Sequence, residues 1–227
     1  MLFNTLAAVR KEYPEGSVEN DAVGRARRLS WLGQRLCALH GVHVRSVGPL
    51  PSGRCIVVAN HLSYVDPVAI CSLIECSAIA KREVAGWPVI GDTLRTLGVL
   101  MVERESASSG AVVLRQAMRR LNAGVPVLAF PEGTTSEGDD VLPLRRGLFG
   151  VAQLLGVRIV PLGVRYQRRD LAWVGGAPFL PHYARTVSFA STTVELRFGE
   201  PIEPHCEPNP RALADFTRQR LRALLEA

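Results

Sequence analysis

The stretch NHLSYVD at residues 60–66 contains the residue types of an acid–base pair, His61 and Asp66, five positions apart. An imidazole held by a carboxylate can take a proton from a hydroxyl and share its positive charge with that carboxylate. On a continuous helix five positions rotate a side chain by about 140°, so the chain must turn for the two residues to meet. Pro67 follows directly, and Asp then Pro are favoured at the N-cap and first position of a helix. Capping alone could explain Asp66, and the spacing leaves both roles open.

A second polar segment, FPEGTTS at residues 130–136, follows an apolar run. Gly133 allows a ligand to approach the backbone closely, and Thr134 and Thr135 offer hydroxyls and amides that can hold an oxyanion or a phosphate. The same composition is typical of a polar loop that leaves a buried strand. Both interpretations remain open at this point.

Charged residues occur at two further places that follow apolar runs. Glu103 and Arg104 follow GVLMV, and Lys81 follows SAIA with Glu83 close behind. Either cation could bind a phosphate, and either could instead pair with a nearby glutamate.

From residue 55 onward, short apolar runs alternate with helical stretches. The sequence predicts strands at 55–59, 77–80, 98–102, 125–130, 157–164, 186–190 and 193–198, and helices at 67–75, 107–123, 145–155 and from 210. This alternation predicts an α/β fold, a single domain with a mainly parallel mixed sheet flanked by helices. Because parallel strands end at one edge of a sheet, we expect the polar segments described above to share that edge.

The N-terminal part is basic and amphipathic. Residues 22–45 contain five arginines and no acidic residue, with Leu29, Leu32, Leu36 and Leu39 at helical spacing. This pattern predicts an amphipathic helix. Its leucines could lie in a membrane interface with the arginines on anionic lipid, or they could pack on the core of the protein.

Composition narrows the classes of function. With 227 residues, 47% of them hydrophobic, the chain can bury one sizeable core. No apolar run approaches the roughly 18 residues that a membrane-spanning helix needs. Arg10 and Lys11 interrupt the apolar N-terminus before any cleavage site, which is not typical of a secretory signal, so the sequence predicts a cytoplasmic location. The net charge of +6 allows attraction to any polyanion, lipid surfaces included.

Two kinds of partner are not expected. Tyrosines and tryptophans are few and are not interleaved with basic residues, which argues against nucleic-acid binding. Cys37, His40 and His43 spread over a broad arc of a helix and have no obvious fourth ligand, so we expect no metal site. The five cysteines are an odd number without a CxxC pair, which is typical of free thiols.

Four ordered blocks resemble the glycerolipid acyltransferases, the family of lysophosphatidate and glycerol-phosphate acyltransferases. The blocks are Asn60-His61 with Asp66, GVLMVER from Gly98 to Arg104, FPEGT from Phe130 to Thr134, and VRIVPLGV with Pro161. The resemblance spans roughly residues 55–200, and four blocks in the correct order are hard to obtain by chance.

The resemblance implies direct acyl transfer from a thioester of coenzyme A or acyl carrier protein to the hydroxyl of a lysolipid, without a cofactor. On that basis His61 is the general base, Asp66 orients it, and Arg104 binds the phosphate of the acceptor. The residues that would form the rest of the substrate site are Asn60, Lys81, Glu132, Gly133, Thr134 and Thr135. Histidine suits this role because it changes charge near neutral pH.

One position departs from the family pattern. Members that use lysophosphatidate often have arginine after Phe-Pro-Glu-Gly-Thr, where this chain has Thr135. We expect lysophosphatidate as the acceptor, with phosphatidate as the product; another lysolipid such as lyso-ornithine lipid is the alternative. Arg145 or Arg146 could supply the missing charge. A non-catalytic basic membrane-binding protein is the competing class.

The resemblance also suggests a division of the chain. Residues 1–47 would form an N-terminal amphipathic helical region that associates with membrane, and residues 48–227 the acyltransferase domain. We therefore expect a peripheral enzyme at the cytoplasmic face of the cell membrane.

Overall fold

Seven β-strands pair into one sheet in the computed structural model, which describes residues 22–86, 90–103, 106–174 and 178–227. The strands are β1 (Val42–Val47), β2 (Ile56–Ala59), β3 (Ser77–Lys81), β4 (Leu100–Val102), β5 (Val127–Ala129), β6 (Ile159–Tyr166) and β7 (Thr192–Phe198). The α-helices within these ranges are α1 (Ala22–Leu39), α2 (Val65–Leu73), α3 (Ile90–Thr96), α4 (Ala107–Asn122), α5 (Gly147–Leu155), α6 (Phe179–Ser188) and α7 (Pro210–Glu226). Short 3₁₀ turns occupy residues 82–86 and 169–171.

The sheet has the order β1-β7-β6-β2-β5-β3-β4. Five neighbouring strands, from β6 to β4, are parallel. β7 pairs antiparallel to β6, and β1 pairs parallel to β7, so these two strands run opposite to the other five. The predicted α/β fold with a mainly parallel mixed sheet is confirmed.

Two apolar clusters lie on opposite faces of the sheet. Ile56 and Val57 are adjacent in β2, both are fully buried, and they belong to different clusters because strand side chains alternate between faces. Helices α1 and α2 contribute to one cluster, while α4, α5 and α7 contribute to the other. Burial on both faces explains why the central strands are continuous apolar runs.

Helix α1 is shorter than the sequence predicts. It ends at Leu39 rather than extending to Arg45, because Gly41 takes a left-handed conformation with φ 62° and residues Val42–Val47 form β1, a strand that the sequence did not predict. Leu29 and Leu32 are buried in the cluster shared with α2. Of the two alternatives for the leucine stripe, the structure therefore favours core packing. Residues 1–21 lie outside the described residues.

The strand predicted at 186–190 is wrong, because this segment contains the end of helix α6. His182 and Thr186 lie four positions apart, are both buried, and the Thr186 hydroxyl donates to the His182 carbonyl at 2.9 Å. These contacts override the β-propensity of the sequence TVSFA. Helices α3 and α6 were not predicted.

Gly33 lets α1 approach α2 closely. A Cβ at this position would lie 2.8 Å from the Ser72 amide nitrogen and 2.9 Å from the Val68 carbonyl oxygen. We expect Gly33→Ala to lower the free energy of unfolding by about 1–3 kcal/mol, because backbone atoms cannot move aside cheaply. Gly110 in α4 is the matched control, with no atom within 4 Å of its Cβ position. Gly110→Ala should be neutral or stabilise by up to about 1 kcal/mol in urea unfolding, and equal effects of the two substitutions would contradict the packing argument.

Candidate active site

The carboxyl ends of the parallel strands β2, β3, β4 and β5 meet at one edge of the sheet. A cavity of about 650 Å³ opens there, and its lining is mostly apolar. His61 lies in this lining, together with Lys81, Gly133 and Thr134. The predicted convergence of the polar segments on one edge is confirmed for those that the structure describes.

His61 and Asp66 do meet. The Nδ1 atom of His61 lies 2.8 Å from Oδ2 of Asp66, whose side chain is fully buried. A carboxylate in this position favours the tautomer with a proton on Nδ1, so that a neutral imidazole presents Nε2 as the basic nitrogen. The His61 ring also stacks on Phe130, with ring centroids 4.2 Å apart, and this contact helps to fix its orientation.

Three further donors satisfy the Asp66 carboxylate. The backbone N–H groups of Leu62 and Ser63 donate to Oδ2 at 2.7 and 2.9 Å, and the Tyr166 hydroxyl donates to Oδ1. Together with His61 they compensate for the burial of a charged group. The loop between the two motif residues is thus wrapped around the carboxylate.

Asp66 differs from the predicted N-cap. It lies inside the first turn of α2, and its carboxylate reaches backward to the Ser63 N–H while the Ser63 hydroxyl accepts from Val65 N–H at 3.4 Å. Tyr64, the residue directly before the helix, makes no side-chain cap, so these two hydrogen bonds tie Ser63 to the first turn instead. Asp66 therefore starts the helix and orients His61 with the same oxygen.

Tyr166 is a site residue that the sequence reasoning missed. Burial, and then the adjacent Asp66 carboxylate, hold the pKa of Tyr166 well above its usual value, so the phenol remains a hydrogen-bond donor. Tyr166 is the last residue of β6, the strand that pairs with β2. Inspecting the end of every predicted strand would have found it.

Asn60 supports the site without lining the cavity. Its side-chain amide donates to the Val164 carbonyl at 3.0 Å and accepts from the Val164 N–H at 2.7 Å. The buried side chain thereby continues the pairing between β2 and β6 beyond the end of β2. Asn60 is not part of the cavity lining, and its predicted role in substrate binding stays a prediction.

Glu132 links the FPEGTTS segment to the histidine loop. Its carboxylate accepts from the backbone N–H of His61 at 3.0 Å and from that of Leu142 at 3.4 Å. Burial raises the pKa of Glu132 to about 7, and the two backbone hydrogen bonds only partly oppose this shift. The side chain is buried and holds the backbone of His61 in place.

The other residues of this segment have different environments. Gly133 has φ 78°, and a Cβ there would lie 2.7 Å from Nε of Arg145, so the guanidinium lies directly against the glycine at the cavity. Thr134 is exposed at the cavity. The Thr135 hydroxyl donates to the Trp173 carbonyl, so its donor is already used within the protein. The chain thus presents Arg145 where the segment meets the cavity.

The remaining charged residues predicted at the site are Lys81, Glu103 and Arg104, of which the structure describes the first two. Lys81 lines the cavity, is exposed, and pairs with Glu83 at 3.1 Å. Glu103 pairs with Arg82 at 3.2 Å. Arg104 lies outside the described residues, so its predicted contact with the acceptor stays a prediction.

The described part of the chain contains neither a cluster of metal-binding side chains nor a helix that could cross a membrane. No three His, Cys, Asp or Glu side chains there come together as metal ligands. His40 instead faces the Tyr183 hydroxyl at 3.2 Å, and Cys37 is buried. None of the helices in the described ranges has both the length and the apolar character to cross a bilayer.

Comparison with known proteins adds independent information. A family model described as Acyltransferase matches residues 41–165. A lyso-ornithine lipid O-acyltransferase from Brucella abortus is 34% identical over 90% of this chain and 84% of that protein. A 1-acyl-sn-glycerol-3-phosphate acyltransferase from Neisseria gonorrhoeae is 28% identical over 82% of this chain and 74% of that protein. The crystal structure of the 1-acyl-sn-glycerophosphate acyltransferase PlsC from Thermotoga maritima shares the fold, with a TM-score of 0.71 at 22% identity, over 99% of this chain and 92% of that chain.

The pKa of Glu132 predicts a pH dependence of stability. A carboxyl whose pKa rises from 4.5 to about 7 on folding binds a proton more tightly in the folded state, so its contribution to stability is lost as pH rises between these values. We expect the free energy of unfolding of the wild type, minus that of Glu132→Gln, to fall by on the order of 2 kcal/mol from pH 4.5 to 7 and then to level off. Urea unfolding at several pH values measures this difference. A difference that rises with pH would show that Glu132 is ionised in the folded protein throughout this range.

Proposed function

The chain belongs to the acyltransferase family, and we propose that it acylates the free hydroxyl of a lysolipid from a thioester donor, with His61 as the general base. The observation that carries the proposal is the His61 imidazole, held through Nδ1 by the buried carboxylate of Asp66 at an apolar cavity. Within the described residues Nε2 has no hydrogen-bond partner in the protein, which leaves this nitrogen for the hydroxyl of an acceptor.

The chemistry follows from this arrangement. Nε2 of His61 takes the proton of the acceptor hydroxyl while the hydroxyl oxygen attacks the carbonyl carbon of the thioester. Asp66 stabilises the positive charge that forms on the imidazole, as in other carboxylate–histidine pairs. The tetrahedral intermediate then expels the thiolate, which recovers the proton from the imidazolium. The ester bond forms as the thioester bond breaks, without a covalent enzyme intermediate.

The donor is a thioester of coenzyme A or acyl carrier protein, and the reaction needs no cofactor. The apolar lining of the cavity suits an acyl chain, because each methylene removed from water contributes about 0.8 kcal/mol. Such donors are made in the cytoplasm, and lysolipids lie in membranes. We therefore place the reaction at the cytoplasmic face of the membrane.

For the acceptor we propose lyso-ornithine lipid. The relative from Brucella abortus is named for this acceptor, and Thr135 stands where arginine often contacts the phosphate of lysophosphatidate. An amino-acid headgroup contains both a carboxylate and an ammonium. Arg145 and the pair formed by Lys81 and Glu83 present both signs of charge at the cavity.

Lysophosphatidate is the second candidate. The relative from Neisseria gonorrhoeae is named for that substrate, and Arg145 and Arg104 could together bind a phosphate. The two candidates differ in headgroup chemistry while sharing the acyl transfer itself, so a direct competition distinguishes them.

His61→Ala tests the mechanism. Loss of a general base is expected to lower kcat/KM by about 10²- to 10⁴-fold, while the fold is retained because the other three donors still satisfy Asp66. Product formation from acyl coenzyme A and acyl carrier protein thioesters is measured by mass spectrometry with a mixture of lyso-ornithine lipid and lysophosphatidate. His43→Ala, on the exposed face of β1, is the matched control and should keep full activity.

The outcomes separate the proposals. Turnover of His61→Ala at the wild-type rate would exclude His61 as the base. Preferential acylation of lysophosphatidate would replace lyso-ornithine lipid as the acceptor without changing the mechanism. No product from any combination of donor and acceptor would favour a non-catalytic membrane-binding protein.

Arg145 and Arg146 are adjacent in sequence and differ in location. Arg145 lines the cavity at Gly133, whereas Arg146 faces a separate cleft beside Asn209 and Pro210. We expect Arg145→Ala to raise the KM for an anionic acceptor about 10-fold or more through loss of a charge-assisted hydrogen bond, and Arg146→Ala to leave it unchanged. Steady-state kinetics with a varied acceptor measures this. Equal effects of the two substitutions would remove Arg145 from headgroup binding.

A further inference from the structure

Helix α6 has an inner face that is bonded to the rest of the domain. His182 and Thr186 are buried on this face. The Tyr64 hydroxyl, at the start of α2, lies 3.0 Å from Nδ1 of His182 and donates to the Thr186 hydroxyl at 3.2 Å. These contacts fix the helix across the edge of the sheet where His61 lies.

The same helix forms part of the cavity wall. Phe179 and Tyr183 line the cavity and stack on each other with ring centroids 5.5 Å apart. The Tyr183 hydroxyl also lies 3.2 Å from Nε2 of His40, just beyond the end of α1. Helix α6 therefore stands at the rim of the site that binds the lipid substrate.

The outer face of α6 is apolar and faces solvent. Leu180, Ala184 and Val187 follow the i, i+4, i+7 spacing of a single helix face and are all exposed. Val187 also lines the cavity, so this face borders the cavity mouth. Leu180 is 70% exposed. Pro181 beside it is exposed as well.

The charge around α6 is positive. Residues 165–190 contain four arginines and a single acidic residue, Asp170. Arg168 and Arg185 are exposed, and both contact Asp170, through its side chain and its carbonyl oxygen respectively. An exposed apolar helix face in an arginine-rich part of the surface complements the acyl boundary and the anionic headgroups of a lipid surface.

We propose that the outer face of α6 docks on an anionic lipid bilayer and brings the mouth of the cavity to the membrane. The inference rests on the proposed function, since it supposes an acceptor that enters from a bilayer. Leu29 and Leu32 of helix α1 cannot supply that contact, because they are buried in the core. Leu180 would insert among the acyl chains while Arg168 and Arg185 meet the headgroups.

The test uses Leu180→Asp in the full chain, with Leu154→Asp as the matched control. Leu154 is 71% exposed, but it lies at the end of α5 just before β6 begins, on the opposite edge of the sheet. Co-sedimentation is measured with vesicles of phosphatidylcholine containing phosphatidylglycerol. We expect Leu180→Asp to weaken binding about 10-fold or more and Leu154→Asp to bind as the wild type does.

Activity assays distinguish docking from catalysis. Leu180 does not line the cavity, so Leu180→Asp should lose activity on acceptor embedded in vesicles and keep it on a short-chain acceptor dissolved below its micelle concentration. If neither acceptor is acylated by the wild type, the proposed function fails while the vesicle-binding result still decides the docking surface.

Two results would overturn the docking proposal. One is vesicle binding by Leu180→Asp that equals that of the wild type, or that is lost equally in Leu154→Asp. The other is a wild-type dimer in solution that Leu180→Asp converts to a monomer, because this would assign the outer face of α6 to contact between two copies of the chain.

Discussion

A fully buried carboxylate with four donors organises this structure. Asp66 would be costly to bury if any of its oxygen lone pairs lacked a partner, so the loop from His61 to Ser63, the first turn of α2 and the end of β6 must all meet around it. Central placement in the sheet makes this possible, because β2 lies between β6 and β5. The same convergence sets the imidazole between Asp66 and the Phe130 ring. Folding and the orientation of the His61 ring therefore have a common origin.

Much of the fold could be predicted from local pattern. The buried parallel strands are continuous apolar runs, and their positions agree with the predicted ones to within about three residues. The edge of the sheet where the site lies follows from parallel topology alone, which explains why His61, Lys81 and Gly133 were found together. The contact between His61 and Asp66 could also be expected from the sequence, provided that the chain turns between the two residues.

The parts that escaped prediction depend on contacts distant in sequence. Strand β1 lies at the edge of the sheet and is mostly exposed, so VHVRSV lacks a strong apolar signal. Helix α6 is held by Tyr64, more than a hundred residues earlier in the chain. Asn60 is a motif residue whose partner is the backbone of β6, a pairing that no spacing within the motif encodes. The sequence therefore identifies candidate site residues more readily than it identifies the partners that their side chains contact.

Strand β7 belongs to the sheet but lies outside the segment that the family model matches. The family model covers residues 41–165, which include β1 but end before Thr192–Phe198. Among the residues that the structure describes, strand β1 joins the sheet only through β7, which lies between it and β6. A fragment cut at the family boundaries would leave β1 detached and the long edge of β6 with unpaired backbone groups, a template for intermolecular strand pairing. The residues that define the family by similarity are therefore fewer than those needed to complete the seven-stranded sheet.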